Sequence, residues 1–298
     1  MITRLRPPFP SLSADNFLSR GTAGHVYAIS RNVVFKCPTL FENPVQAQAE
    51  EMEESIRKLE NEKAVYQILM EHRHPNIVYG ILCVPEGLFM HRQETTLQSR
   101  IENSSMSAIS SDKQERWIQQ ITSALAWLED LGYAHGDLRP ANIFLSAMED
   151  VRLGDFDATV KKGDELLAAS EPFCKLDENY DTPLAGPLSE QFSLASCIFT
   201  IRFGHIPFHN VEPHVRVRNL IMGLFPSTAS DVTFGNLMDK CWHGYYNSIR
   251  AVEHDIFSLL GKRSFAEEFL DNDTNALDDI QVSTLQAECD EFLAKESR

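Results

Sequence analysis

The chain contains no Cys-x-x-Cys pair, no repeat at solenoid periods and no apolar run long enough to cross a membrane. The first absence excludes the usual zinc spacings. The six cysteines, Cys37, Cys83, Cys174, Cys197, Cys241 and Cys289, are scattered through apolar stretches. That distribution suits reduced core thiols in a reducing compartment. Basic residues are scarce: 27 Lys and Arg stand against 43 Asp and Glu, a net charge of −16 over 298 residues. Wrapping a nucleic-acid backbone needs clustered Lys and Arg, so the balance argues against that partner. No apolar segment follows the opening Met1-Ile2-Thr3-Arg4-Leu5-Arg6, which removes a secretory leader from consideration. The expectation is a soluble cytoplasmic or nuclear protein with no membrane and no nucleic-acid partner; its oligomeric state is left open.

What is present suffices for a core: 43% of the residues are hydrophobic. The length allows one large domain or two lobes. Two acid runs, Glu50–Glu54 and Asp271–Asp279, read as solvated faces and a tail. Residues 1–14 carry three prolines and read as an arm. From Phe17 to Cys37 the texture is strand-like, with a glycine pair and then Val33-Val34-Phe35. Asn43-Pro44 has the form of a helix start, and a polar helix is expected to run to about His72 with Ile56, Leu59, Tyr66 and Leu69 inward. Two more strands are expected over Ile77–Val84 and Gly87–Met90. After Glu94 the texture turns helical, with a buried helix over 114–131 and a nearly all-apolar one over Phe192–Phe203. Leu285, Cys289, Phe292 and Leu293 sit at helical offsets, so the tail is expected to end in a docking helix. The pattern predicts an α+β fold of two lobes with a cleft between them. The divisions are an arm 1–14, a small antiparallel sheet lobe 15–94, a helical lobe 95–262 and an acidic tail 263–298.

Three places carry chemistry. Gly21-x-x-Gly24-x-Val26 lies between strand-like runs, where glycines let backbone amides approach a phosphate. Lys36 ends an apolar strand, and a buried ammonium needs a partner. Glu62 on the following helix supplies one, with Glu60 as the competing choice. The strongest segment is His135-Gly136-Asp137-Leu138-Arg139-Pro140-Ala141-Asn142, followed thirteen residues later by Asp155-Phe156-Asp157. Asn and Asp oxygens suit magnesium, and a second Asp can orient and deprotonate a hydroxyl.

These residues, in this order, resemble protein kinases. Lys36 matches the lysine of the Val-Ala-Ile-Lys motif. Glu62 matches its helical glutamate, fixed by the later run His74-Pro75-Asn76-Ile77-Val78. Asp137 and Asn142 match the catalytic base and metal asparagine of His-Arg-Asp-x-x-x-x-Asn, and Asp155 the aspartate of Asp-Phe-Gly. Gly204-x-x-Pro207-Phe208 and Cys241-Trp242 look like helical-lobe landmarks. The resemblance covers roughly residues 15–260 and is nearest to divergent fungal protein-kinase-like proteins with His-Gly-Asp-Leu-Arg-Pro-Ala-Asn. It implies a bilobal kinase fold, ATP and Mg2+ as cofactors, and a protein substrate whose identity is open. It implies Lys36 on the α- and β-phosphates, Asp155 and Asn142 on magnesium, Asp137 as base and Arg139 against the migrating charge. Gly21, Gly24, Val26, Val34, Met90, His91 and Phe144 would surround the nucleotide.

The departures from the family pattern carry expectations of their own. Ser19 replaces the first glycine of the loop. Val34 and Phe144 add bulk where alanine and leucine are usual, which predicts weaker ATP binding. Gly136 replaces the arginine that meets an activation-loop phosphate, so activity is expected not to need loop phosphorylation. Arg139 replaces a common lysine and leaves Ser/Thr and Tyr acceptors open. Asp157 replaces a glycine, adding charge near the metal and removing backbone freedom. The Ala-Pro-Glu motif is missing; Glu178 is the best-spaced substitute, without an arginine near 247–249. Glu190 stands for the aspartate that opens the central helix. Two other readings remain: a pseudokinase scaffold, and a small-molecule phosphotransferase of the aminoglycoside or choline kinase type, which also uses a His-Gly-Asp loop. A structural helical protein with a β cap would leave the ordered set as coincidence.

Overall fold

The computed structural model describes residues 4–103, 108–261, 277 and 279–297. The fold is α+β, and the chain forms two compact units. One holds the described residues up to Gln93 together with Asp155–Asp157 and the helix Asp279–Glu296. Its strands are β1 (Phe17–Gly21), β2 (Gly24–Ala28), β3 (Val33–Cys37), β4 (Gly80–Val84) and β5 (Gly87–His91). They form one antiparallel sheet in the order β1-β2-β3-β5-β4. β3 pairs on both sides, and all five of its residues are buried. Its neighbours in sequence therefore divide between two covered faces. Val33, Phe35 and Cys37 join Tyr27 and Phe89 in a cluster with Leu285 and Cys289 of the Asp279–Glu296 helix. Arm residue Leu12 is buried in the same cluster, and Phe9 and Phe292 pack against it. The expected docking helix is thus present, and its partner is this sheet face. Val34 and Lys36 point to the other face.

The long helix α1 (Gln46–Glu71) is rich in Ala, Glu, Gln, Lys, Met and Leu, all strong helix formers. It starts later than Asn43-Pro44 suggested. Asn43 adopts a left-handed φ of 50°, which asparagine tolerates and an N-cap does not use. Val45 takes the cap position, and its N–H donates to the Gln48 side chain at 3.0 Å. The inward stripe is Ser55, Leu59, Glu62, Tyr66 and Leu69, at steps of three and four. Ile56 falls one position off that stripe and is exposed, which corrects its expected place in the core.

The second unit holds α2 (Leu97–Glu102), α3 (Ser111–Asp130), α4 (Pro187–Phe203), α5 (Pro213–Ile221), α6 (Gly235–Trp242) and α7 (Ile249–Leu260). Two small antiparallel pairings accompany them. β6 (Thr95–Thr96), β8 (Ile143–Leu145) and β9 (Val151–Leu153) form one, and β7 (Tyr133–Ala134) with β10 (Val160–Lys161) the other. α4 is buried on every side along most of its length, as its apolar sequence requires. Proline at its first position and Gly204 in left-handed conformation just past its end mark its limits. Among the described residues, no helix is long and apolar enough to cross a membrane.

Candidate active site

The candidate residues divide between the two units. In the sheet unit, Val26 pairs opposite Lys36, and Val34 opposite Met90. Strand alternation puts these four side chains on the face away from the Asp279–Glu296 helix. His91 follows Met90 at the end of β5, and its N–H donates to Tyr79 O at 2.9 Å. Gly21 and Gly24 pair across the β1–β2 turn, leaving Thr22 and Ala23 as a two-residue tip. Gly24 needs to be glycine: its φ is 139°, and a Cβ there would lie 2.0 Å from Cys37 O.

Lys36 is 5% exposed, and its Nζ lies 2.6 Å from Glu62 Oε2 and 2.7 Å from Asp155 Oδ1. Glu62 is therefore the partner, fully buried; Glu60 pairs with Lys63 instead. Helical phase decides between the two, since Glu62 shares the inward stripe with Leu59 and Tyr66. Burial works against the Lys36 charge, yet Asp155 and Glu62 together overcome it and hold its pKa above the usual lysine value. Burial pushes the Glu62 carboxyl up to about 7, against the pull of the Lys36 ammonium.

Asp155 adopts φ 62°, a left-handed conformation in which few non-glycine residues sit. The Phe156 ring beside it is fully buried and meets Tyr66 edge-on, with centroids 5.3 Å apart. Asp157 lies in a 3-10 turn, Phe156–Ala158. The left-handed φ of this run falls at Asp155 and not at Asp157, where the family pattern has glycine. Asp157 is 5% exposed. It accepts a hydrogen bond from Thr22 Oγ1 at 2.9 Å, and its carbonyl accepts one from Asn61 Nδ2 at 3.0 Å. Burial and the nearby Asp155 charge raise its carboxyl above the usual range.

In the helical unit, residues 135–142 run from β7 through a 3-10 turn, Pro140–Asn142, into β8. Glu190, on the first turn of α4, anchors the loop: the N–H of His135 donates to Oε2 at 3.0 Å and that of Gly136 to Oε1 at 3.2 Å. Burial raises the Glu190 carboxyl above the usual range, while His135 and the two amides oppose that. His135 Nε2 lies 3.1 Å from Gly154 O, and Nδ1 accepts from Asp137 N–H at 3.3 Å. A carbonyl only accepts, so Nε2 carries the proton. Gly136 has φ 79°, and a Cβ there would meet Ala158 O at 2.5 Å. Around Asp137 the contacts converge: Arg139 Nε donates to Oδ2 at 2.9 Å, and Asn142 Nδ2 donates to the same oxygen at 3.0 Å and to the carbonyl at 2.8 Å. With its NH2 so occupied, Asn142 has its amide oxygen as the candidate ligand atom. Phe144 follows on β8, paired opposite Thr96 and half-buried.

The protein kinase domain model matches residues 15–241. The chain belongs to the protein kinase domain family. Mitogen-activated protein kinase kinase kinase 1b of Physcomitrium patens is 27% identical over 225 residues, 70% of this chain and 28% of that protein. Mitogen-activated protein kinase kinase kinase 1 of Arabidopsis thaliana is 27% identical over 227 residues, 72% of this chain and 36% of its own length. Tyrosine-protein kinase FRK of Homo sapiens is 24% identical over 227 residues, covering 68% and 45% respectively. The chain thus spans less than half the length of each of these relatives.

Within this kinase domain the Glu178 substitute does not hold. Glu178 is exposed, whereas Glu171 binds Arg216 through Nε at 2.6 Å and a second nitrogen at 2.8 Å. Sequence spacing gave no signal for that pair, whose members lie 45 residues apart. Thr22, Asn61 and Thr159, which donates to His135 O at 3.1 Å, were also invisible in sequence. Glu190→Gln is expected to strand one of the two loop amides, because an amide side chain offers one acceptor where a carboxylate offers two. The loss should be about 1–3 kcal/mol. An unchanged denaturant midpoint would show that Glu190 is not what anchors the loop.

Proposed function

We propose that the chain is an ATP- and magnesium-dependent protein kinase that transfers the γ-phosphoryl group to a protein hydroxyl. The observation that carries this reading is the buried Lys36 ammonium, shared between Glu62 and Asp155 at 2.6 and 2.7 Å. A purely structural role is poorly supported, because burying the Lys36 and Glu62 charges is costly, and the part-exposed Asp155 carboxylate bears less of that cost. Lys36 would hold the α- and β-phosphates, with Glu62 fixing its position. Val26, Val34, Met90 and His91 of the sheet unit would meet the adenine, a role that the family pattern also gives Phe144. Asp155 and Asn142 offer a carboxylate and an amide oxygen, the hard donors that suit magnesium, whose charge would offset that of the phosphates.

Asp137 would accept the proton of the incoming hydroxyl as its oxygen bonds to the γ-phosphorus. The bond from phosphorus to the β–γ bridging oxygen breaks, and ADP leaves with that oxygen. Arg139, already on Asp137 Oδ2, would offset charge on the migrating phosphoryl. Catalysis of this kind rests on position and electrostatics. Asp137→Asn is expected to lower phosphoryl transfer about 10²–10⁴-fold while leaving the magnesium-ATP thermal shift in place. Equal transfer by the variant would overturn the assignment of the base. Binding without transfer by the wild-type chain would favour the pseudokinase reading.

A further inference from the structure

The Gly21–Gly24 turn is held down by its own molecule. Its tip has two residues, and both are engaged. Ala23 is 1% exposed, and its carbonyl accepts from Ser55 Oγ at 3.0 Å. Ser55, itself 1% exposed on α1, accepts in turn from Thr39 N–H at 2.8 Å. Thr22 Oγ1 donates to Asp157 Oδ2 at 2.9 Å. Asp157 is fixed from behind by Asn61, whose Nδ2 reaches its carbonyl at 3.0 Å. Asp157 is two residues from Asp155 and stands where the family pattern has glycine. The tip that should receive phosphate oxygens is therefore already bound to an anion.

We propose that Asp157 is an internal competitor for the phosphate-binding turn: its carboxylate holds Thr22 and keeps the turn closed until a nucleoside triphosphate displaces it. The proposal rests on the nucleotide reading given above. The two anions, carboxylate and triphosphate, seek the same donor-rich turn, and both cannot hold it. A side chain that merely filled space at position 157 would need no donor at 22. A latch does, and its strength is that of one hydrogen bond to a charged group. Opening is confined to the tip, because the Gly21–Gly24 pairing that closes the hairpin can persist while Thr22 lets go.

Two measurements on the full chain test this. Thr22→Val keeps the shape of the side chain and removes the donor, at an exposed position where folding is not at stake. Amide exchange at residues 21–24 in the nucleotide-free protein should be faster in Thr22→Val than in wild type. Magnesium-ATP should bind about tenfold more tightly to Thr22→Val and to Asp157→Gly, the effect of releasing one such bond. The double variant should bind within about twofold of Asp157→Gly alone, since both changes cut one contact. Unchanged exchange in Thr22→Val would overturn the latch whatever the nucleotide does. Faster exchange with unchanged or weaker magnesium-ATP binding would overturn the competition. Faster exchange with no magnesium-ATP binding in any form would remove the nucleotide reading, and the competition with it, while leaving the Thr22–Asp157 contact in place.

Discussion

Lys36→Met should abolish the magnesium-ATP thermal shift and destabilise the chain by about 3–5 kcal/mol, the cost of leaving a buried charge without its partner. The ammonium sits between two carboxylates, and Glu62 has no exposed surface at all. Burial already pushes Glu62 from 4.5 up to about 7 while the ammonium pulls it down. Without Lys36 that pull is gone, and the carboxyl rises further. A carboxyl whose pKa is raised by folding keeps a proton that the unfolded chain releases. Its favourable contribution is complete below the unfolded value of 4.5 and is lost as pH climbs through the folded value of about 7 or more. The deficit of Lys36→Met should accordingly be small near pH 4.5 and grow toward pH 8. Lys36→Met/Glu62→Gln should flatten that dependence. Melting curves of the two variants across this range check it, and a deficit independent of pH would refute the account.

Leu285→Asp should lower the melting temperature by roughly 10 °C, from a loss of about 4 kcal/mol. Leu285 is 4% exposed in the cluster that joins the Asp279–Glu296 helix to Tyr27, Phe35 and Phe89. The substitution removes that packing and sets a carboxylate against aromatic side chains without a partner. Ile280→Asp, on the same helix at 76% exposure, controls for the added charge and should leave the melting temperature near its wild-type value. Equal melting of the two variants would mean that the helix does not stabilise the sheet. Polar contacts add to the docking: the Glu288 carboxylate accepts from Ser30 Oγ, and from Asn32 Nδ2 at 3.0 Å.

Much of the site was legible because its residues fall in short, ordered runs. His135 to Asn142 is eight residues long, and its hydrogen bonds are mostly local: Asn142 to Asp137, Arg139 to Asp137, Asp137 to His135. Lys36 and Asp155 are 119 residues apart and were linked by family resemblance, with no local pattern to join them. Glu62 was chosen over Glu60 by its distance from the run His74–Val78, and helical phase in the structure gives the physical reason. The start of α1 was misplaced because Asn43-Pro44 satisfies the same turn chemistry outside a helix as inside one. The helix at 279–296 was legible as a helix, but not the surface it covers. Apolar spacing states that a face is buried and is silent about the partner, here a strand some 250 residues earlier. Thr22 was unreadable for the same reason: a hydroxyl beside a glycine is ordinary until the carboxylate opposite it is seen.

β3 has consequences for how the protein is handled. Its alternate residues serve two masters: Phe35 and Cys37 rest under the 279–296 helix, and Lys36 between them carries the ammonium. Cutting the chain back to the matched span 15–241 would discard Leu12, that helix, Trp242 and α7 while keeping Lys36, Glu62, Asp137, Asn142 and Asp155. The trimmed product would display an oily sheet beside an intact set of catalytic letters. Its failure in an assay would report on solubility, and would be mistaken for an absence of catalysis.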